Sequence, residues 1–212
     1  MRFVDEFHDV ELARTLANRI AHVSSHPIHL MEFCGSHTHA LLRYGIRDLL
    51  PSTIAMHSGP GCPVCVTEID FIDKVIEYSS KEDVIITTFG DLIRVPGSMT
   101  SLEKMKASGA DIRIVLSGLD AIETARLNPD KIVIFPAIGF ETTAPGTAAT
   151  VKQAELEKLS NFFILSSHKI MPPAMEAILK DGTSIDGFIC PGHVSVITGS
   201  SVFNFIPEKY AR

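Results

Sequence analysis

The sequence predicts an α/β fold, built as two similar small parallel-sheet domains of βαβ units facing a cleft. Three observations carry that reading. Apolar runs of about five residues alternate with helical stretches along the chain, the pattern of βαβ units. The alternation comes in two series, with the turn-like Arg94-Val95-Pro96-Gly97-Ser98 between them. The unusual polar turns follow directly on the apolar runs, where open parallel sheets collect their working groups.

Residues 7–24 read as an amphipathic helix, with Val10, Leu12, Leu16, Ile20 and Val23 near helical spacing. The first domain, residues 26–98, opens on the strand His29-Leu30-Met31-Glu32-Phe33. That strand runs into Cys34-Gly35-Ser36-His37-Thr38-His39 and a helix through Tyr44. Thr53-Ile54-Ala55-Met56-His57 is a second strand, residues 68–79 a helix, and the run from Val84 to Asp91 a third strand. The second domain, residues 99–199, places helices at 101–107, 119–127, 143–159 and 173–179. Its strands fall at 112–117, 132–136, 162–166 and 187–190, and residues 200–212 follow as a tail.

A chain of 212 residues, 45% hydrophobic and 21% charged, has the composition of an ordinary soluble protein and buries a core without disulfide staples. The net charge of -6, with no basic cluster, gives nucleic-acid binding no electrostatic footprint. No apolar run approaches the ~20 residues of a membrane span. The start, Met1-Arg2-Phe3-Val4-Asp5-Glu6, is too charged for a signal peptide. Cys34, Cys62, Cys65 and Cys190 make no secreted disulfide framework. The expectation is a cytoplasmic protein with reduced thiols, where a Cys-x-x-Cys is catalytic or metal-binding.

The chemistry centres on Gly59-Pro60-Gly61-Cys62-Pro63-Val64-Cys65-Val66-Thr67. The pair sits in a tight turn that the pattern places at a helix N-terminus, where the dipole favours a thiolate. The glycines admit backbone angles closed to other residues, and the prolines stiffen the turn. The Cys34 turn places one thiol and two imidazoles within six residues, soft-to-borderline ligands for iron, zinc or copper. Its spacing does not match a closed four-ligand zinc site, so an open or shared site is expected. His37 can equally serve as a helix cap or hydrogen-bond partner. Gly139-Phe140-Glu141-Thr142-Thr143-Ala144-Pro145-Gly146 reads as a helix start that also holds Glu141 in a glycine-framed turn. Cys190-Pro191-Gly192-His193 pairs a thiol with an imidazole, with Cys190 closing an apolar strand.

Taken in chain order these four blocks resemble the hydrogenase maturation factors of the HypD family, and the resemblance covers residues from about 30 to 199. The resemblance implies an assembly scaffold with thiol redox activity rather than a conventional turnover enzyme. Such scaffolds help build the Fe(CN)2CO group of [NiFe]-hydrogenases with the small chaperone HypC, cyanide coming from HypE with HypF upstream. It implies that Cys34 holds the iron, with Gly35 and His193 beside the bound group. Cys62 and Cys65 are then the redox pair, and His37 and Glu141 supporting residues. It further implies a monomer joining hetero-complexes, and a third domain that carries a [4Fe-4S] cluster. On that resemblance the ligands of the cluster are expected to be absent from this chain, and the N-terminal helix to belong to that third domain. The rival reading is a stand-alone thiol–disulfide oxidoreductase of a thioredoxin-like kind.

Overall fold

The structure is a computed structural model and describes residues 8–211. The charged run at residues 1–6, and Phe7 of the expected first helix, lie outside the described residues. In chain order the elements are α1 (Val10–Val23), β1 (Ile28–Glu32), α2 (Gly35–Arg43), α3 (Ile46–Leu49), β2 (Ile54–Ser58), α4 (Ile69–Ser79), β3 (Val84–Thr88), α5 (Leu102–Ala107) and β4 (Ile112–Ile114). There follow α6 (Gly118–Leu127), β5 (Ile132–Gly139), α7 (Ala144–Leu156), β6 (Phe162–His168), α8 (Met171–Lys180), β7 (Gly187–Ile189), α9 (Gly192–Thr198) and α10 (Phe205–Tyr210).

Every strand pair is parallel, in two sheets of order β2-β1-β7 and β4-β3-β5-β6. The α/β class with two parallel-sheet units is as the sequence predicts. The division between them is not the sequential one at residues 92–99. One unit holds the described residues up to Gly61 together with those from Met175 onward, and the other is Cys62–Ala174. Strand pairing is the reason. Val84-Ile85-Ile86-Thr87-Thr88 is buried at all five positions, the mark of an interior strand, and finds its neighbours in β4 and β5. β7 returns to pair with β1, Leu30 opposite Gly187 and Glu32 opposite Ile189.

The four-stranded unit buries both faces of its sheet. Ile86, Ile112 and Ile134 pack with Phe71, Ile72 and Val75 of α4 and Leu102 of α5. Ile85, Val133 and Phe135 project to the other face, against Ala121, Ile122 and Ala125 of α6 and Ala154 of α7. The alternation along β3 and β5 is the two-residue period of a strand. β5 continues through Pro136 to Gly139, past the expected end at residue 136. Proline lacks the N–H that a ladder needs. The Ile132 amide donates toward β3, at Asp83 O, and the Val133 amide toward β6, at Asn161 O. By that alternation Pro136 turns its missing donor toward β3, and pairing with β3 stops at Ile134 while pairing with β6 runs on to Gly139. A pocket of about 270 Å3 lies there, lined by Phe89, Phe135, Gly118, Thr147 and neighbours.

In the three-stranded unit β1 is central, and Phe33 and Phe188 meet edge to face at 5.4 Å. Asp9 caps α1 by accepting from the Leu12 amide at 2.9 Å. Within α1 only Ala17 is buried, so Val10, Leu12, Leu16 and Val23 leave the apolar stripe exposed. Glu176 of α8 accepts from Lys209 at 2.6 Å and from the Tyr210 hydroxyl at 3.0 Å, tying α10 to α8. Those bonds, with Lys180 nearby, hold its carboxyl down at about 2. Because that value lies below the ordinary 4.5, the contact contributes fully above pH 4.5 and is lost as pH falls toward 2. Protection of the α10 amides, taken against their intrinsic exchange rate at each pH, is expected to fall through that window, and a Glu176→Gln variant to show no such step.

Candidate functional site

Cys34 directly follows Phe33 at the carboxyl end of the central strand β1, and it is the N-cap residue of α2. Its carbonyl accepts from the amides of His37 at 2.9 Å and Thr38 at 3.1 Å, the first bonds of the helix. Its sulfur makes no cap bond. A buried carboxylate, Glu32, takes the Cys34 amide at 3.0 Å and the Thr38 hydroxyl. Gly35 opens α2 and is exposed. His37 is half-buried in the first turn, with its Nδ1 shielded from solvent and unpaired.

The Gly59-Pro60-Gly61 segment explains itself by packing. A Cβ at Gly61 would lie 2.7 Å from the Cys34 N and Cα and 2.8 Å from its carbonyl carbon. One at Gly59 would lie 2.9 Å from the Glu32 carbonyl oxygen. Neither glycine has positive φ, so they serve close approach rather than unusual backbone angles. The Gly61 amide donates back to Gly59 O at 2.8 Å across Pro60. Cys190 follows β7 directly, and the Phe33 amide donates to Ile189 O at 3.2 Å. Cys190 is half-buried rather than enclosed, and burial pushes its thiol up. His193 is exposed in the first turn of α9. The three-stranded unit thus gathers Cys34, Gly35 and His37 after β1, and Cys190 and His193 after the adjacent β7.

Cys62, Cys65 and Glu141 belong to the four-stranded unit. The helix entry expected for the Cys-x-x-Cys is corrected here. Val64–Val66 forms a short 3-10 turn, and α4 starts only at Ile69 behind its N-cap Glu68. The thiols are therefore not on the helix dipole. Cys65 is exposed, and its hydrogen bond with Cys62 pushes its thiol up, with burial and the Cys62 charge adding to it. A Cys62→Ala variant removes that bond. It is expected to speed alkylation of Cys65 several-fold at pH 8, read by peptide mass spectrometry. An unchanged rate would take Cys62 out of the control of Cys65.

Glu141 lies two residues beyond β5, and its Oε1 accepts the Met171 amide at the start of α8 at 2.7 Å. Its Oε2 is shielded and unpaired. Glu68 accepts from Lys169 and from the Ser167 hydroxyl at 3.3 Å, which joins the segment after Cys65 to the end of β6. The Lys169 bond holds the Glu68 carboxyl below its ordinary range. Val66, Phe140, His168, Lys169 and Pro173 line a pocket of about 390 Å3. Burial keeps the His168 imidazole below its ordinary value and favours its neutral form. Glu32 and the Glu68–Lys169 pair escape a reading by motif. The available signal for Glu32 is one carboxylate in a strand of otherwise apolar inward residues, just before a polar turn.

Two parallel-sheet units, one with Cys34 and Cys190 at its strand ends and the other with the Cys62/Cys65 pair, define a thiol-bearing α/β scaffold. The comparisons give its family. Residues 11–212 match the HypD family model, described as the hydrogenase formation hypA family. The hydrogenase maturation factor HypD of Rhodobacter capsulatus is 46% identical over 220 residues, covering all of this chain and 58% of that protein. HypD of Escherichia coli K12 is 41% identical over 220 residues, again the whole chain and 59% of that protein. A putative hydrogenase expression/formation protein of Methanocaldococcus jannaschii is 49% identical over 181 residues, 85% of this chain and 50% of that one. The chain belongs to the HypD family of hydrogenase maturation factors. It spans under three-fifths of the length of these curated relatives.

A [4Fe-4S] cluster of the kind the family resemblance implies takes four thiolates. Among the described residues no three Cys, His, Asp or Glu side chains converge as a metal site. The four described cysteines do not converge as its ligand set. No described helix is long and apolar enough to cross a membrane.

Proposed function

We propose that this chain is a cytoplasmic scaffold on which the Fe(CN)2CO group of [NiFe]-hydrogenases is assembled. The iron is cargo. Cys34 supplies one thiolate, and a HypC-like chaperone supplies a second. HypE, with HypF upstream, delivers cyanide. The Cys62/Cys65 dithiol supplies or stores two electrons, releasing two protons with them when it becomes a disulfide. His37, Glu141, Gly35 and His193 support the bound group.

The observation that carries this reading is the Cys34 sulfur, held at a strand end and helix start without a cap bond of its own. Such a sulfur is free for a metal, and a single protein thiolate suits a site whose other donors come from a partner. A thioredoxin-like oxidoreductase needs an attacking thiol with a lowered pKa. Cys62 and Cys65 lie ahead of α4, around a 3-10 turn and away from the helix start that would lower such a thiol, which speaks against that alternative.

The test is infrared spectroscopy with an iron assay on protein co-purified anaerobically with the HypC-like partner. A version carrying the further length of the relatives runs beside it. CN and CO stretching bands in either sample support the scaffold. Iron-free, band-free samples of both, with the partner bound, overturn it.

A further inference from the structure

The geometry points to Glu32 as the positioning residue of the Cys34 thiolate, an inference that rests on Cys34 being the iron-holding sulfur. Glu32 ends β1 and is 0% exposed. Burying a carboxylate is costly unless its oxygens are bonded. Here both are used: Oε2 accepts the Cys34 amide at 3.0 Å, and Oε1 accepts the Thr38 hydroxyl. Its carbonyl oxygen accepts the Gly59 amide at 2.8 Å. One residue therefore ties the amide of Cys34, the first turn of α2 and the end of β2.

The arrangement replaces a capping box. In that motif a hydroxyl at the N-cap bonds the helix, and a carboxylate or amide three residues on takes the N-cap amide. At α2 the N-cap is Cys34, whose sulfur makes no cap bond, and the residue three on is His37. Glu32 takes the N-cap amide from the strand side instead. The turn is held by main chain, Glu32 and Thr38, which leaves the sulfur out of the bonds that hold it. A side chain with a single polar end atom could not hold both partners in this way.

The test compares Glu32→Gln, Glu32→Leu and Thr38→Val in the full chain with its HypC-like partner. The readouts are hydrogen exchange of the 34–38 amides, the alkylation rate of Cys34 relative to Cys65 in the same sample, and ferrous iron retained. Glutamine keeps the shape, offers its oxygen to the Cys34 amide and lets the Thr38 hydroxyl turn to accept. It is expected to stay within about twofold of wild type. Leucine leaves the Cys34 amide unsatisfied, and exchange at 34–38 and the alkylation ratio are each expected to change about tenfold or more. Iron retention then falls with them. Thr38→Val removes one partner and is expected to shift the same readouts in the same direction by less. Should Glu32→Leu fail to fold, the contrast between Thr38→Val and Glu32→Gln carries the test.

The inference is overturned if Thr38→Val and any folded Glu32→Leu protein keep wild-type exchange and alkylation. It is equally overturned if Glu32→Gln behaves as badly as leucine, since charge rather than position would then matter. An iron-free wild type whose alkylation ratio still shifts in Glu32→Leu removes the iron reading and leaves the positioning role standing.

Discussion

A Cys34→Ala variant is expected to retain no iron above the level of the HypC-like partner alone, while folding as the parent does. The sulfur makes no cap bond to α2, so the helix start loses little when it goes. The bonds that hold the turn, from the Cys34 and Thr38 amides and the Thr38 hydroxyl, do not involve the sulfur. Cys34→Ser sharpens the result. A serine oxygen at an N-cap accepts a helix amide and is worth about 1 kcal/mol over alanine. The serine protein is therefore expected to be at least as stable as wild type and equally free of iron. Thermal melts and an iron assay on all three proteins decide it. Iron loading unchanged in both variants would remove Cys34 from the scaffold chemistry.

Gly61→Ala should destabilise the three-stranded unit by about 1–3 kcal/mol, because the added Cβ overpacks against main chain. Its neighbours, 2.7–2.8 Å away, are the N, Cα and carbonyl carbon of Cys34, which cannot swing aside as a flexible side chain would. The strain falls on the turn that carries the sulfur, so iron retention is expected to drop together with stability. Gly146→Ala is the contrast. Nothing lies within 4 Å of a Cβ there, and the site is in the first turn of α7. Alanine at such a position is expected to be neutral or stabilising by up to about 1 kcal/mol. Denaturant melts of the two variants separate close approach from the general cost of replacing glycine. Equal midpoints would mean that the Gly61 approach carries no energy.

The site is legible in residues to different depths. Cys34, Cys62 and Cys65 stand out because thiols beside glycine, proline and histidine seldom serve packing alone. The placement of the pair on a helix start is where reading by pattern fails. Val64-Cys65-Val66 looks like the beginning of the helical run, yet Glu68 caps α4 only after a 3-10 turn has closed. The role of Gly59 and Gly61 is misread for a related reason. Glycine has two uses, unusual φ and absent bulk, and only the neighbouring strand end shows that bulk is the one at stake. Glu32 gives only a faint signal in the sequence because its partners, Cys34 and Thr38, are local but its burial is not.

Local order by itself determined the class and most of the elements. Apolar runs of strand length between helical stretches admit little but parallel βαβ units, and propensity acts over a few residues. The four motif blocks likewise determined the family, since residue identity in order is all that such a likeness needs. Which strands share a sheet was decided only in three dimensions. β3 reads the same whether it closes one domain or opens the next, and β7 follows four strands with which it does not pair. Pairing is a contact between segments far apart in sequence, set by which buried faces fit together. So is the clamp on Cys34, where a strand-end carboxylate and a glycine from the next strand meet one turn. The sequence names that sulfur, and the tertiary structure fixes the turn that carries it.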